Sequence, residues 1–135
     1  MTEPFNGAKL AILNGSQVVT ILRDDFPTIP WPGYWDFPGG GREGNEDPAA
    51  CVLRELKEEL GLVLGPESLT WSTVDRSVDD VVWFFAAEWP DFDPNLVRFG
   101  NEGQMWRLAE IDWFLEQEKA IPSLKTRLKR YLSQR

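Results

Sequence analysis

The sequence predicts a mixed α/β (α+β) domain, on three observations. Short apolar, β-branched runs occur on both sides of a single strong amphipathic helix, and further helical patterns close the chain. The 135 residues match one domain, 1–135, rather than two. Hydrophobic residues at 42% and charged residues at 27% are ordinary for a chain that buries a core, so neither disorder nor a need for staples is expected.

The elements follow in order. Lys9–Leu13 and Val18–Leu22 flank Asn14-Gly15, a dipeptide suited to a type I′ turn, and so predict a hairpin. Residues 24–45 are rich in Pro, Gly, Trp and Asp and predict a long loop with at most a short strand near Trp35–Phe37. Over 46–60 the spacing of Ala49, Val52, Leu53, Leu56 and Leu60 predicts a helix. Asn45 or Gly44 is its expected cap and Gly61 its stop. Leu69–Val74 and Val81–Trp89 predict strands, with a turn at Ser77–Asp80. After a polar loop over 90–104, Met105–Leu108 predicts a strand and Ile111–Gln117 a short helix. Pro122 opens a last helix to about Ser133 with Leu124, Leu128 and Leu132 on one face.

Composition removes several chemistries. There is no histidine, so Ser-His-Asp and Cys-His catalysis and imidazole ligation are excluded. The one cysteine, Cys51, excludes an intramolecular disulfide and a multi-cysteine zinc site. All 22 acids lie in residues 1–118, whereas 119–135 hold six bases and no acid. An acidic body is a poor binder of duplex nucleic acid, and the basic end reads as a helix face docked on that body. No apolar run is long enough to span a membrane, and the start MTEPFNG lacks a secretory pattern, so a cytoplasmic protein is expected.

The chemistry concentrates in Gly40–Leu62, GGREGNEDPAACVLRELKEELGL. Glu55, Glu58 and Glu59 fall within an arc of about 100° beside the apolar stripe. Like charges at this spacing cost the helix a few tenths of a kcal/mol per pair, roughly. A hard divalent cation removes that cost, and all-oxygen donors suit Mg²⁺ or Mn²⁺. The preceding glycines, Gly39, Gly40 and Gly41, allow backbone groups to approach a ligand closely, and the helix start favours an anion.

The segment resembles the Nudix box: G, five residues, E, seven residues, R-E-U-x-E-E-x-G-U, where U is a bulky aliphatic. Gly40, Glu46, Arg54, Glu55, Leu56, Glu58, Glu59, Gly61 and Leu62 fill every fixed position. At ordinary residue usage, chance agreement at one start is on the order of one in a billion. The lead-in Trp35-Asp36-Phe37-Pro38-Gly39 is similar too.

The resemblance implies a Nudix-type α/β/α sandwich around a central mixed sheet. It also implies a metal-dependent hydrolase that cleaves the diphosphate of a nucleoside diphosphate linked to another group. A (deoxy)nucleoside triphosphate or related nucleotide heads the expected substrates; a catalytically silent nucleotide sensor is the alternative. Mg²⁺ or Mn²⁺ is the implied cofactor, and a homodimer is possible. Residue by residue, Glu55, Glu58 and Glu59 correspond to metal-binding glutamates, and the Gly39 carbonyl to a backbone ligand. Arg54 corresponds to the residue that orients a neighbouring glutamate, and Glu46 and Gly61 to structural positions. Glu102, just before Met105-Trp106-Arg107-Leu108, resembles the loop glutamate that serves some relatives as ligand or base. Arg23 and Gly40 stand where phosphates are met, and Tyr34, Trp35 and Trp31 are candidates to stack on a base.

Overall fold

The computed structural model describes residues 3–135, so the first two residues of the MTEPFNG start lie outside the described part. The hairpin forms from β1 (Gly7–Asn14) and β2 (Gln17–Leu22), with Gly15 at φ 59 in its turn. β1 then runs parallel to β6 (Val81–Glu88), which pairs antiparallel with β5 (Trp71–Arg76). On the other side, β2 pairs along its length with β7 (Met105–Glu110). One parallel pair among antiparallel ones makes this the mixed central sheet expected from the sequence.

The sheet splits at the hairpin, and the split shapes the site. β2 pairs with β1 only near the turn; at its far end it pairs with β3 (Trp35–Asp36). β1 at its own far end pairs with β4 (Gly39–Gly41). Residues 35–41 therefore cross the gap between two diverging strands. β4 was not anticipated: three glycines carry no side-chain signal for a strand, and it forms because β1 presents an open edge.

Helix α1 (Pro48–Leu60) covers one face of the sheet. Its Cys51, Val52, Leu56 and Leu60 are fully buried against Leu10, Ile12 and Val19. Alternate residues of β1 point the other way: Ala11 and Leu13 join Phe37, Phe84 and Phe114 beneath α2 (Ile111–Glu116) and α3 (Pro122–Leu132). The period-2 pattern of a doubly covered strand thus produces the α/β/α layering.

The cap of α1 is Asp47, whose side chain accepts from the Ala50 N–H at 2.8 Å, rather than Asn45 or Gly44. Pro48 occupies the first turn, where no N–H is needed, and so sets the cap at the residue before it. Gly61 closes the helix at φ 65, its N–H bonded to the Lys57 carbonyl. The basic C-terminal segment docks on acids of the body: Arg127 and Arg130 of α3 pair with Asp75, Tyr131 of α3 donates to Glu88, and Arg135 beyond the helix also pairs with Glu88. The Tyr131 hydroxyl is pushed up to about 12 by burial and by Glu88. Among the described residues, no helix is long and apolar enough to cross a membrane.

Candidate functional site

Glu55, Glu58, Glu59 and Glu102 line one cleft of about 300 Å³, together with Glu43 and Asn101. Three of these carboxylates come from consecutive turns of α1. The fourth is brought by the loop after β6, which is tied at both ends. The Arg98 and Gly100 N–H groups cap the Leu60 and Glu59 carbonyls at 2.7 and 2.8 Å, using acceptors that the end of α1 leaves free. Beyond Glu102, the Gly103 N–H donates to Asp24 and the Gln104 N–H to the Leu22 carbonyl. Glu102 is thereby suspended between the end of α1 and the end of β2.

Arg54 supplies the counter-charge that spacing alone did not reveal. Its guanidinium grips Glu46 with two bonds of 3.0 and 2.8 Å, reaches Glu55 and Glu58 at 3.1 Å each, and donates to the Gly41 carbonyl. The fork matches carboxylate geometry, so one side chain orients two of the three helix glutamates. The Arg54 hydrogen bonds hold Glu46 down at about 2. Glu46 also accepts from the Glu43 N–H, which fastens the loop to the start of α1.

Glu59 is turned the other way, toward β4, where the Gly39 N–H donates to it at 2.8 Å. Burial raises its carboxyl to about 8, against the opposing Gly39 N–H and Lys9; Glu55 and Asp36 add to the rise. Glu55 is also raised, first by burial and then by Glu58 and Glu102, with Arg54 opposing.

Two glycines make this packing possible. Gly39 adopts φ 142, and a Cβ there would lie 2.1 Å from the Ala8 carbonyl oxygen. At Gly40 a Cβ would stand 2.7 Å from the Glu55 carboxyl carbon, so Gly40 leaves the volume that Glu55 fills.

As the side chains stand, no group of three or more His, Cys, Asp or Glu among the described residues forms a metal-holding cluster. The reason is visible in the bonds above: Arg54 draws Glu55 and Glu58 to one side, and Gly39 holds Glu59 on the other. The donor chemistry nonetheless fits a hard divalent ion. Every donor facing the cleft is an oxygen or an amide, and one carboxylate, Glu59, is half-buried without a direct cation partner.

The other residues singled out from sequence separate into two groups. Arg23 ends just past β2 and donates to the Pro30 carbonyl at 2.9 Å and to Asp36 at 3.0 Å; Lys9 meets the same Asp36 oxygen at 2.8 Å. Asp36 is only 4% exposed, and these two cations are what make its burial tolerable. Tyr34 and Trp35 do not line the cavities beside Arg23. Trp35 packs edge-on against Trp113, and Tyr34 lies against Trp31 at 5.0 Å. Phe26, which the sequence reading passed over, does line a cavity, with Arg23, Asp24, Asp36, Glu59 and Glu102. An isolated aromatic in a Pro-rich loop gives no periodic signal; its place between Arg23 and the aromatic run 31–35 was the available hint.

Comparison with known proteins agrees with this arrangement. The NUDIX domain family pattern matches residues 5–132. An RNA pyrophosphohydrolase from Acidiphilium cryptum is 37% identical over 140 aligned positions, covering 96% of this chain and 84% of that protein. An 8-oxo-dGTP diphosphatase from Proteus vulgaris is 39% identical over 61 positions, 42% of this chain and 54% of the relative, so only about half of that relative's length is spanned. The crystal structure of a MutT protein from Methanosarcina mazei Go1 superposes with a TM-score of 0.73 over 99% of this chain and 97% of that one, at 18% identity, and supports the fold. A match over nearly the whole chain, together with a complete box on α1, places this protein in the Nudix hydrolase family.

Proposed function

We propose that residues 1–135 act as one Nudix hydrolase domain that cleaves the diphosphate of a nucleoside diphosphate linked to another group, with (deoxy)nucleoside triphosphates and related nucleotides as the first substrates to test. The observation that carries this reading is the convergence of Glu55, Glu58, Glu59 and Glu102 on one cleft beside Arg23.

In this reading the four carboxylates and the Gly39 carbonyl would hold Mg²⁺ or Mn²⁺, which supplies Lewis-acid neutralisation of phosphate charge. Arg54 positions Glu55 and Glu58 through the bonds described, and Glu46 holds Arg54. Arg23 and the backbone at Gly40 meet the phosphates. Water's oxygen bonds to one phosphorus, the bridging P–O bond breaks, and the bridging oxygen departs with the other phosphate. The water proton passes to one of the cleft carboxylates. Such a reaction asks for positioning and charge neutralisation, not a covalent nucleophile, so a chain without histidine can run it. A cytoplasmic setting agrees with a single, fully buried free cysteine, Cys51. A homodimer belongs to the same proposal and is read directly by sedimentation.

The test is turnover of a panel of diphosphate-linked nucleotides with Mg²⁺, followed as released phosphate or pyrophosphate, in the natural sequence and in Glu58→Gln. Loss of at least about a hundredfold in kcat with an intact fold supports the hydrolase. Tight nucleotide binding without product under any divalent metal makes the protein a sensor instead.

A further inference from the structure

Glu102 reaches the cleft from a segment that little packing holds. Asn101, Glu102 and Gln104 are exposed, and Gly103 is half-buried without a side chain. The backbone on either side of Glu102 is therefore fixed by hydrogen bonds.

Five bonds tie residues 98–104 down. On the α1 side, the Arg98 and Gly100 N–H groups reach the Leu60 and Glu59 carbonyls. On the β2 side, the Gln104 N–H donates to the Leu22 carbonyl and the Gln104 side-chain amide to the Arg23 carbonyl, each at 2.8 Å. The fifth bond is of another kind. The Gly103 N–H, which belongs to the peptide leaving Glu102, donates to the Asp24 carboxylate at 3.0 Å. Of the five it alone uses a side-chain acceptor, and an ionised acceptor strengthens it.

The backbone makes room for this bond. Gly103 adopts φ 92, and a Cβ there would lie 3.0 Å from Ile21 Cγ2 and 3.1 Å from the Leu22 carbonyl oxygen. The chain at 103 thus lies flush on β2 in a conformation that favours glycine. Asp24 is anchored in turn. The Gly33 N–H bonds to its carbonyl at 3.0 Å, and the Arg23 N–H beside it to the Tyr34 carbonyl at 2.9 Å.

Asp24 and Glu102 both line a cavity of about 340 Å³, but of the two only Glu102 also lines the cleft with Glu55 and Glu58. Asp24 stands behind Glu102, not among the cleft carboxylates. We infer that Asp24 is a positioning residue for Glu102: its carboxylate holds the Glu102–Gly103 peptide and so keeps the Glu102 side chain on the cleft. This role deepens the hydrolase reading above and rests on it. What Asp24 supplies is an acceptor rather than a charge, so asparagine can stand in for it and alanine cannot.

The experiment compares the natural sequence with Asp24→Ala, Asp24→Asn, Glu102→Gln and the double variant of Asp24→Ala and Glu102→Gln. Asp25→Ala, at the exposed neighbour, controls for loss of a nearby charge. Turnover is measured under Mg²⁺ on the nucleotide cleaved best, and amide hydrogen exchange over 98–104 without divalent metal. Asp24→Ala should lower kcat at least about tenfold with KM little changed, the scale of a slightly misplaced group. Asp24→Asn keeps the bond and should stay within about threefold of the natural sequence, as should Asp25→Ala. The double variant should be no slower than Glu102→Gln, because residues that act through one group do not add. The Gly103 amide should exchange at least about tenfold faster in Asp24→Ala and at the natural rate in Asp24→Asn. Should Asp24→Ala fail to fold, Asp24→Leu, similar in volume and without an acceptor, takes its place.

The role is overturned by an unchanged kcat in Asp24→Ala, by an equal loss in Asp24→Asn, by losses that multiply in the double variant, or by normal kcat in Glu102→Gln. In each of these cases turnover by the natural sequence leaves the hydrolase standing. Should the natural sequence cleave nothing, the hydrolase reading fails and exchange decides alone. A Gly103 amide released in Asp24→Ala but not in Asp24→Asn upholds the tether, and any other pattern overturns it.

Discussion

Helix α1 and loop 24–34 border adjoining spaces and are built in opposite ways. On α1 the side chains that matter are contiguous in sequence and ordered by the helix period. Buried Leu56 and Leu60 sit beside Glu55, Glu58 and Glu59, and Arg54 bridges the acids within one turn of their origin. Loop 24–34 has no period. Its conformation comes from scattered backbone bonds to Arg23 and Asp24, and its rings stay exposed. The helix couples its chemistry to the core, whereas the loop can change without disturbing the fold. In the proposed reading, reaction type therefore belongs to the first region and substrate choice to the second.

Four measurements bear on the difference between helix and loop. The largest effect falls on the shared core: Leu56→Ala, at a fully buried site, should cost about 2–5 kcal/mol in chemical denaturation. A loss under 1 kcal/mol would mean that α1 is not anchored as described. Next, Arg54→Gln removes the fork that orders Glu55 and Glu58. We expect kcat to fall by roughly one to two orders of magnitude, with Glu46 freed from its bidentate partner. An unchanged kcat would leave Arg54 as a structural brace only.

The third concerns Glu59. Its carboxyl is raised from 4.5 to about 8 in the folded chain, so the native state keeps a proton that the unfolded state releases. Without divalent metal, its contribution is most favourable below pH 4.5 and declines as pH rises to about 8. The stability difference between the natural sequence and Glu59→Gln should follow that window in thermal melts, and a flat difference contradicts it. The smallest effect is Phe26→Ala, which at an exposed loop position should alter folding stability by no more than about 0.5 kcal/mol. A larger loss would show that the loop is part of the core after all.

The same contrast explains what the sequence made legible. The strands, the helix expected over 46–60 and found at 48–60, and the acidic ridge follow from spacing, although the strand expected at 69–74 forms at 71–76. The crossing segment 35–41 does not, since β4 is three glycines whose pairing depends on an edge left by β1. The position of Arg54 among three acids was legible only in part. The helix period puts Glu58 within its reach, but Glu46 comes from the loop before the helix. Glu102 was found through resemblance, because forty-odd residues separate it from α1 and only the capping of Leu60 and Glu59 carbonyls brings it back. Phe26 was missed for want of any such repeat.

In the proposed reading, the cleft lined by Glu55, Glu58, Glu59 and Glu102 takes up divalent metal together with nucleotide. Isothermal titration of Mn²⁺ into the nucleotide-saturated protein addresses it most directly. Saturable uptake is expected, weakening at least about tenfold in Glu59→Gln while the fold is retained. No uptake by the natural sequence, or equal uptake by the variant, would contradict it.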